Sequence, residues 1–267
     1  MKLEVNGVDA YAYTGGKTFD PALPCIVFLH GALHDHSDWT LLARWFAHHG
    51  YGVLAVDLPG HARSTGAALP DMQALAAWTL ALLDAAKVQR AALVGHSMGS
   101  LIALAAAALA PDRVTHLLML GTAYPMKVSE ALLATARDAP LKAIDMVNSF
   151  SHSTWAAKPS YPGPGSWLHG AERALMRRVQ ASQKGLNLFE HDFQICDRYI
   201  DGLQAAAKVT CPSTLMLGSR DQMTAPKQAK ELAAALKAQV VMVNAGHSMM
   251  SEAPEQVLAA VRQALRA

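Results

Sequence analysis

Short apolar runs alternate with segments of helical periodicity along most of the chain. The runs are too short for helices and are bounded by glycine, proline or polar residues, which is typical of strands buried on both faces of a parallel sheet. The segments between them repeat apolar residues three and four positions apart, as from Leu75 to Leu82, and predict amphipathic helices. The predicted buried strands are 25–29, 53–56, 91–94, 117–120, 213–217 and 240–243.

Two more strands come from the N-terminal segment. Asn6-Gly7 separates the runs 3–5 and 8–13, and this dipeptide is a strong signal for a two-residue hairpin turn. The complete pattern predicts the α/β class. We expect a mostly parallel eight-stranded sheet with helices on both faces and functional groups at the carboxyl ends of the strands.

The alternation stops between residues 124 and 207. Helical patterns dominate there, at 128–138, 143–150, 171–183 and 189–203, with a proline- and glycine-rich loop at 158–165. We therefore predict a core formed by residues 1–123 and 208–267 and an all-helical cap, or lid, formed by residues 124–207. The histidines of this insertion, His152, His169 and His191, are expected to be solvated.

Composition limits the classes of partner. Hydrophobic residues make up 52% of the 267 residues and the net charge is only +2, without a basic tract, so neither nucleic acid nor a membrane is expected as a partner. The N-terminus lacks an apolar signal core, and residues 91–110, although uncharged, contain a polar turn that predicts strand and helix instead of a membrane span. Three scattered cysteines indicate free thiols and a cytoplasmic location.

The pentapeptide Gly95-His96-Ser97-Met98-Gly99 lies where a buried strand turns into an alanine-rich helix. Glycines at its ends leave room for a sharp turn, and Ser97 at the apex would project its hydroxyl above the sheet. The unpaired N–H groups of the following helical turn attract developing negative charge. The pentapeptide alone is also compatible with a glycine-rich turn that holds an exposed serine.

Later strands supply the partners that a serine nucleophile needs. Asp221 follows the strand at 213–217, and His247 follows the strand at 240–243. A serine hydroxyl requires a base within hydrogen-bond distance, and that base is in turn oriented by a third group. The order Ser, Asp, His along the chain is the order expected for this fold.

Together these motifs resemble the α/β-hydrolase superfamily, in its lid-bearing serine branch. The resemblance implies that Ser97 is the nucleophile, that His247 is the general base and then acid, and that Asp221 orients the imidazole. It also implies an oxyanion hole formed by the backbone N–H groups of Ala32 and Met98. The further motifs behind it are Phe28-Leu29-His30-Gly31, Asp57-Leu58-Pro59-Gly60-His61, Gly218-Ser219-Arg220-Asp221 and Gly246-His247. Ala62 departs from the pattern, because many relatives carry glycine there.

Gly-His-Ser-Met occurs twice, at 95–98 and 246–249, so the roles of serine and histidine could be exchanged. We favour the first copy for the nucleophile, because Met250 replaces the closing glycine of the second copy and no alanine-rich helix follows it. Leu33, Trp39 and Met249 are candidate substrate-binding residues, although such side chains are more often plain core.

The run His34-Asp35-His36-Ser37-Asp38 offers a competing hypothesis. Its H-x-H-x-D pattern resembles the first ligands of a dinuclear metallo-hydrolase, in which imidazoles and a carboxylate hold zinc. That motif normally continues with another histidine, and Trp39 stands there instead. We therefore expect neither a metal nor a cofactor.

The sequence favours a hydrolase acting on a small-molecule ester, lactone or thioester with a small, largely uncharged acyl group. Hydrolysis of a carbon–carbon bond in a ring-cleavage product is the alternative reaction, and Ser248 argues against it, because such relatives often carry an aromatic residue after the catalytic histidine. The alternative of another class is a non-catalytic ligand receptor on a hydrolase scaffold.

Overall fold

The structure, a computed structural model, describes residues 1–154 and 167–266. It confirms the predicted α/β class, with an eight-stranded sheet in the order β1-β2-β4-β3-β5-β6-β7-β8. The pairs β1–β2 and β2–β4 are antiparallel, and the remaining neighbours are parallel. The strands are β1 Lys2–Val5, β2 Val8–Tyr13, β3 Cys25–Leu29, β4 Gly52–Val56, β5 Ala91–His96, β6 Val114–Leu120, β7 Ser213–Gly218 and β8 Gln239–Val243.

The helices fill the connections between the strands. They are α1 Thr40–Ala47, α2 Met72–Ala85, α3 Met98–Leu109, α4 Glu130–Asp138, α5 Pro140–Ser151, α6 Leu168–Gln180, α7 Leu188–Arg198, α8 Gly202–Ala206, α9 Lys230–Ala235, α10 Met249–Glu252 and α11 Pro254–Ala264. The last helix begins at Pro254, which suits a first helical position because proline has no N–H to lose there.

The central strands are apolar at every position because each face of the sheet is covered. On β3, Val27 and Leu29 pack into the core that contains α2 and α3. Ile26 and Phe28 point to the opposite face and pack with α1 and α11. Successive side chains of a strand alternate between faces, so two helical layers require apolar residues at odd and even positions alike.

Two aspartates cap helical turns. Asp71 caps α2, since its Oδ1 accepts the Ala74 N–H at 2.8 Å. Asp35 caps the 3₁₀ turn His36–Trp39, which precedes α1, and accepts the Ser37 N–H at 2.8 Å.

In the described part of the segment between β6 and β7 lie the helices α4 to α8, where helical patterns dominate the sequence. The boundaries of the cap, 124–207, stay a prediction, and the loop at 158–165 lies outside the described residues. The expectation of solvated histidines is wrong for His152 and His169, which are 5% and 8% exposed, because both pack between α5 and α6. Within the described residues, no helix is both long and apolar enough to cross a bilayer.

The loop after β4 makes a left-handed turn at Ala62, where many relatives carry glycine. Ala62 has a φ of +45°, so a residue with a Cβ occupies backbone space that glycine fills without strain. Left-handed conformation costs an L-residue about 1–2 kcal/mol.

Replacing Ala62 by glycine is therefore expected to stabilise the protein. Part of the gain is offset, because glycine raises the conformational entropy of the unfolded chain by about 0.4–1 kcal/mol. The free energy of unfolding should rise by about 0.5–1 kcal/mol in urea titrations. Ala77→Gly, at an exposed position inside α2, is the matched control and should cost about 1 kcal/mol. An equal decrease of the free energy of unfolding in both variants would contradict backbone strain at Ala62.

Candidate active site

Ser97 occupies the sharp turn between β5 and α3, with a φ of +52° that serine rarely adopts. The turn depends on its two glycines. A Cβ on Gly95 would overlap the backbone of Gly99. A Cβ on Gly99 would overlap the carbonyl groups of Leu29, at the end of β3, and of His30, which follows it. Strand, turn and helix therefore pack closer than alanine allows. The result is a strained serine that is partly exposed while its neighbours are buried.

The backbone N–H groups of Ala32 and Met98 are the predicted oxyanion donors. Met98 is the first residue of α3, and Ala32 belongs to the loop after β3. Among the described residues, neither N–H donates to a protein acceptor, whereas the Ser97 N–H donates to Leu120 at 2.9 Å. Unpaired N–H groups at a helix start stabilise negative charge. The arrangement suits a tetrahedral oxyanion.

His247 and Asp221 form a buried ion pair at the ends of β8 and β7. The His247 Nδ1–H donates to Asp221 Oδ2 at 2.8 Å. Asp221 also accepts the Thr224 hydroxyl at 2.7 Å and the N–H groups of Met223 and Thr224 at 2.8 Å each. Although burial raises the pKa of Asp221, the His247 charge and these donors lower it overall. The imidazole is thus fixed with Nε2 as its free nitrogen.

Ser97 and His247 line one cavity of ≈ 110 Å³. An apolar cavity of about 150 Å³ holds a benzene molecule, so this one suits a small acyl group. No hydrogen bond joins the Ser97 hydroxyl to His247 among the described residues, a contact that often tightens only with substrate. The other lining residues are Ala32, His34, His96, Met126, Lys127, Val128, Ser129, Leu132, Val147, Ser151, Phe193, Cys196, Met223 and Thr224.

The second Gly-His-Ser-Met copy has a different environment. Ser248 is 6% exposed and donates its hydroxyl to Glu172, so it is absent from the described lining of the cavity. His96 donates from Nε2 to the His247 carbonyl at 3.0 Å and, among the described residues, forms no hydrogen bond with a carboxylate. Burial and the nearby His247 and His34 lower the pKa of His96 to about 3. If Ser248 were the nucleophile and His96 the base, the site would have neither an accessible serine nor a base oriented by a carboxylate.

The three candidate substrate-binding residues lie in the core. Leu33, Trp39 and Met249 are fully buried, and none is among the described residues that line the cavity. Trp39 packs on Phe28 with ring centroids 5.0 Å apart. The cavity wall comes instead from the segment after β6 and from α4, α5 and α7, where the sequence carries no motif.

The two imidazoles of the H-x-H-x-D run bind different carboxylates. His36 donates from Nδ1 to Asp57 at 2.7 Å, while the His34 Nε2 lies 3.7 Å from Glu172. Ligand atoms of Asp35, His36 and Asp57 lie within 4.8 Å of one another and could hold a cation. Hydrogen bonds and ion pairs with neighbouring residues already occupy these atoms.

Sequence reasoning missed the carboxylate that holds the loop after β3. Asp192 on α7 is buried, and its Oδ2 accepts the Leu33 N–H at 2.8 Å and lies 2.9 Å from the His61 Nε2. Leu33 itself has a φ of +59°. Burial alone would neutralise the pair, but mutual attraction lowers the pKa of Asp192 and raises that of His61. The Leu33–Asp192 bond spans 159 residues, which no local motif predicts.

These features define the class of hydrolases with an α/β fold. They are the sheet, the serine at a strand–helix turn, and the His–Asp pair at the same edge of the sheet. A family model described as the alpha/beta hydrolase family matches residues 26–261. The chain belongs to the alpha/beta hydrolase family. This match confirms the membership that the sequence motifs predict.

Relatives and neighbours within this fold carry several activities. A dihydrolipoyllysine-residue acetyltransferase component of an acetoin cleaving system from Pseudomonas putida is 30% identical over 96% of this chain, which spans 66% of that protein. An (E)-2-((N-methylformamido)methylene)succinate hydrolase from Acinetobacter baylyi is 25% identical, with 87% of this chain and 86% of the relative covered. The enol-lactonase of Burkholderia xenovorans superposes with a TM-score of 0.85 at 22% identity, over 100% of both chains.

Proposed function

We propose that the protein is a serine hydrolase that cleaves an ester, lactone or thioester of a small acyl group through an acyl-enzyme. One observation carries this proposal. Ser97, on a strained turn, and His247, paired with Asp221, line the same small cavity. A ligand receptor has no need of an oriented base beside a strained serine.

The residues suggest a mechanism in two halves. The Ser97 oxygen attacks the carbonyl carbon while its proton passes to the His247 Nε2, and the carbonyl oxygen becomes an oxyanion held by the N–H groups of Ala32 and Met98. The imidazolium then protonates the leaving oxygen or sulfur, and the acyl-enzyme remains. In the second half, water loses a proton to the His247 Nε2 as it attacks the same carbon. The bond between that carbon and the Ser97 oxygen then breaks, the imidazolium returns the proton to this oxygen, and the acid is released.

The cavity supports a small acyl part. Its walls are mostly apolar, with Met126, Leu132, Val147 and Phe193 among them. Several of these residues belong to the helices α4 to α8, so the proposed cap, 124–207, would supply the acyl-binding walls. The cytoplasmic location stays a prediction from the unpaired cysteines.

A fluorophosphonate probe followed by peptide mass spectrometry tests the nucleophile. One probe per chain on the peptide containing Ser97 is expected, because an activated serine attacks phosphorus as it attacks a carbonyl. A panel of phenyl esters of increasing acyl length, with a lactone, a thioester and a ring-cleavage dienoate, then assigns the bond. An unlabelled Ser97 would favour the receptor, and turnover of the dienoate alone would favour carbon–carbon hydrolysis.

A further inference from the structure

The loop after β3 carries one of the two proposed oxyanion donors, the N–H of Ala32. This loop packs on the nucleophile, since a Cβ built on Gly31 would lie 3.3 Å from the Ser97 Cβ. Ala32 itself lines the cavity. A donor stabilises the transition state only when it points at the place where negative charge develops. The orientation of the peptide groups on either side of Ala32 therefore determines whether its N–H can act.

The peptide group before Ala32 is fixed through its carbonyl. The Gly31 carbonyl accepts the His30 Nδ1–H at 2.8 Å and the His34 N–H at 3.2 Å. The Leu58 N–H donates to the His30 Nε2 at 3.0 Å, so this ring carries its proton on Nδ1 and is neutral. The N–H of a trans peptide group points away from its carbonyl oxygen. The Ala32 N–H therefore points away from the two donors that hold the Gly31 carbonyl.

The peptide group after Ala32 is fixed from α7. Its N–H belongs to Leu33, which has a φ of +59°, and donates to the Asp192 Oδ2 at 2.8 Å. Leu33 and Asp192 are 0% and 1% exposed, so bulk water does not reach this hydrogen bond. A buried N–H without an acceptor is costly, and a strained φ persists only where its surroundings enforce it. The carboxylate thus holds the left-handed turn that follows the proposed oxyanion donor.

His61 in turn holds the Asp192 carboxylate. The His61 Nε2 lies 2.9 Å from the same Oδ2 atom, and its Nδ1 lies 3.1 Å from the Pro59 carbonyl oxygen. Although burial raises the pKa of Asp192, the charge of this ring lowers it overall, so the carboxylate is ionised. A carbonyl and an ionised carboxylate only accept hydrogen bonds, so both ring nitrogens donate. One carboxylate oxygen therefore accepts from the loops after β3 and β4.

We propose that Asp192 is a positioning residue for catalysis, which sets the direction of the Ala32 N–H by holding the N–H of Leu33. The inference rests on the proposed function, in which the Ala32 N–H binds the oxyanion, and it adds a contribution of α7 to the chemical step. Asp192 is absent from the described lining of the cavity, although its neighbour Phe193 belongs to that lining. Its loss should therefore weaken binding of the transition state more than binding of the substrate.

Asp192→Leu removes the acceptor and keeps a side chain of similar size. With the best phenyl ester of the panel, kcat should fall by about 10²-fold, the effect of a catalytic group displaced by about 1 Å. KM should change by less than about threefold, because the groups that line the cavity are unchanged. Thermal melting verifies folding.

A trifluoromethyl ketone measures the oxyanion site directly. The Ser97 oxygen adds to its carbonyl carbon, the serine proton passes to His247, and the carbonyl oxygen becomes a stable oxyanion. The inhibition constant of Asp192→Leu should rise by the same factor by which kcat/KM falls. A defect that merely loosens the fold would not link these two quantities.

His191→Phe is the matched control. His191 precedes Asp192 on α7 and donates from Nε2 to the Leu69 carbonyl at 2.9 Å, so it also joins this helix to the loop after β4. Phenylalanine keeps a ring there and loses only the hydrogen bond. Because the loop after β3 keeps its contacts, kcat and the inhibition constant should stay within about threefold of the wild-type values.

Two further variants test the hydrogen bond at nearly constant volume. In Asp192→Asn one amide oxygen faces the Leu33 N–H and a His61 ring without its counter-charge. A neutral ring with its proton on Nδ1, towards Pro59, presents a lone pair at Nε2, so kcat should fall by about tenfold. Adding His61→Gln places an amide NH₂ group near the present site of Nε2. The asparagine oxygen then accepts from both sides again, and kcat should recover by about threefold or more.

Several results would overturn the inference. They are a loss of kcat/KM caused by KM alone, an unchanged inhibition constant in Asp192→Leu, an equal loss of kcat in His191→Phe, and a further fall of kcat when His61→Gln is added to Asp192→Asn. The last result is available even if Asp192→Leu does not fold. A failure of the proposed function would appear in the wild-type protein instead, as a Ser97 unlabelled by the fluorophosphonate and phenyl esters that are not hydrolysed.

Discussion

Replacing Ser97 by alanine is expected to lower kcat for phenyl esters by about 10⁶-fold, as loss of a serine nucleophile does elsewhere. The substitution removes the atom that forms the proposed acyl bond, while the proposed oxyanion donors, the N–H groups of Ala32 and Met98, remain. Alanine is smaller than serine and enters the same turn, so folding should be retained. Stopped assays at high enzyme concentration, with far-UV circular dichroism, measure both effects.

Ser248→Ala is the matched control, since Ser248 stands at the same place in the second Gly-His-Ser-Met copy. Its hydroxyl donates to Glu172 and does not line the cavity, so kcat should stay within about tenfold of the wild-type value, a loss equivalent to about 1.4 kcal/mol. Loss of activity in the control with retention in Ser97→Ala would exchange the two serines.

The strands could be predicted because burial on both faces leaves a plain signal. Every residue of β3 and β4 is buried, so the sequence is apolar without interruption. The Asn6-Gly7 hairpin is equally local, since both residues adopt positive φ. A strand or a turn can be predicted from the sequence when the residues that determine it lie within a few positions of one another.

Parts of the site could also be predicted from the sequence, since each candidate catalytic residue lies shortly after a predicted strand. Ser97 follows β5, and Asp221 and His247 lie in the loops after β7 and β8. Parallel strands bring their carboxyl ends to one edge of the sheet. Residues that follow different strands in the sequence therefore lie close together in space. The contact of Asp221 with Thr224 was missed, although a threonine three residues after an aspartate is a familiar turn pattern.

The contacts of α6 and α7 could not be predicted, because nothing local requires them. Glu172 sits on an amphipathic helix, where a glutamate usually faces water. Its position beside His34 and Ser248 depends on how α6 packs over loops more than 70 residues away. His152 was expected to be solvated for the same reason, and tertiary packing determines its burial instead.

Replacing Asp221 by asparagine is expected to lower kcat by about 10⁴-fold with little change of shape, as for the equivalent change in a serine protease. The asparagine oxygen can still accept the N–H groups of Met223 and Thr224. Its NH₂ group would then face the His247 Nδ1, where the carboxylate now accepts at 2.8 Å. A donor at that place stabilises the tautomer with the proton on Nε2. That tautomer cannot accept the Ser97 proton.

The loss of kcat should therefore result from the wrong tautomer of His247 and not from a loss of structure. Asp138→Asn, at an exposed position at the end of α4, is the control and should leave kcat unchanged. Fluorophosphonate labelling of Ser97 should slow in Asp221→Asn in proportion to kcat, because both reactions need the same deprotonation. If labelling stayed fast while turnover fell, His247 would orient correctly without the carboxylate. Asp221 would then contribute to the second half of the reaction alone.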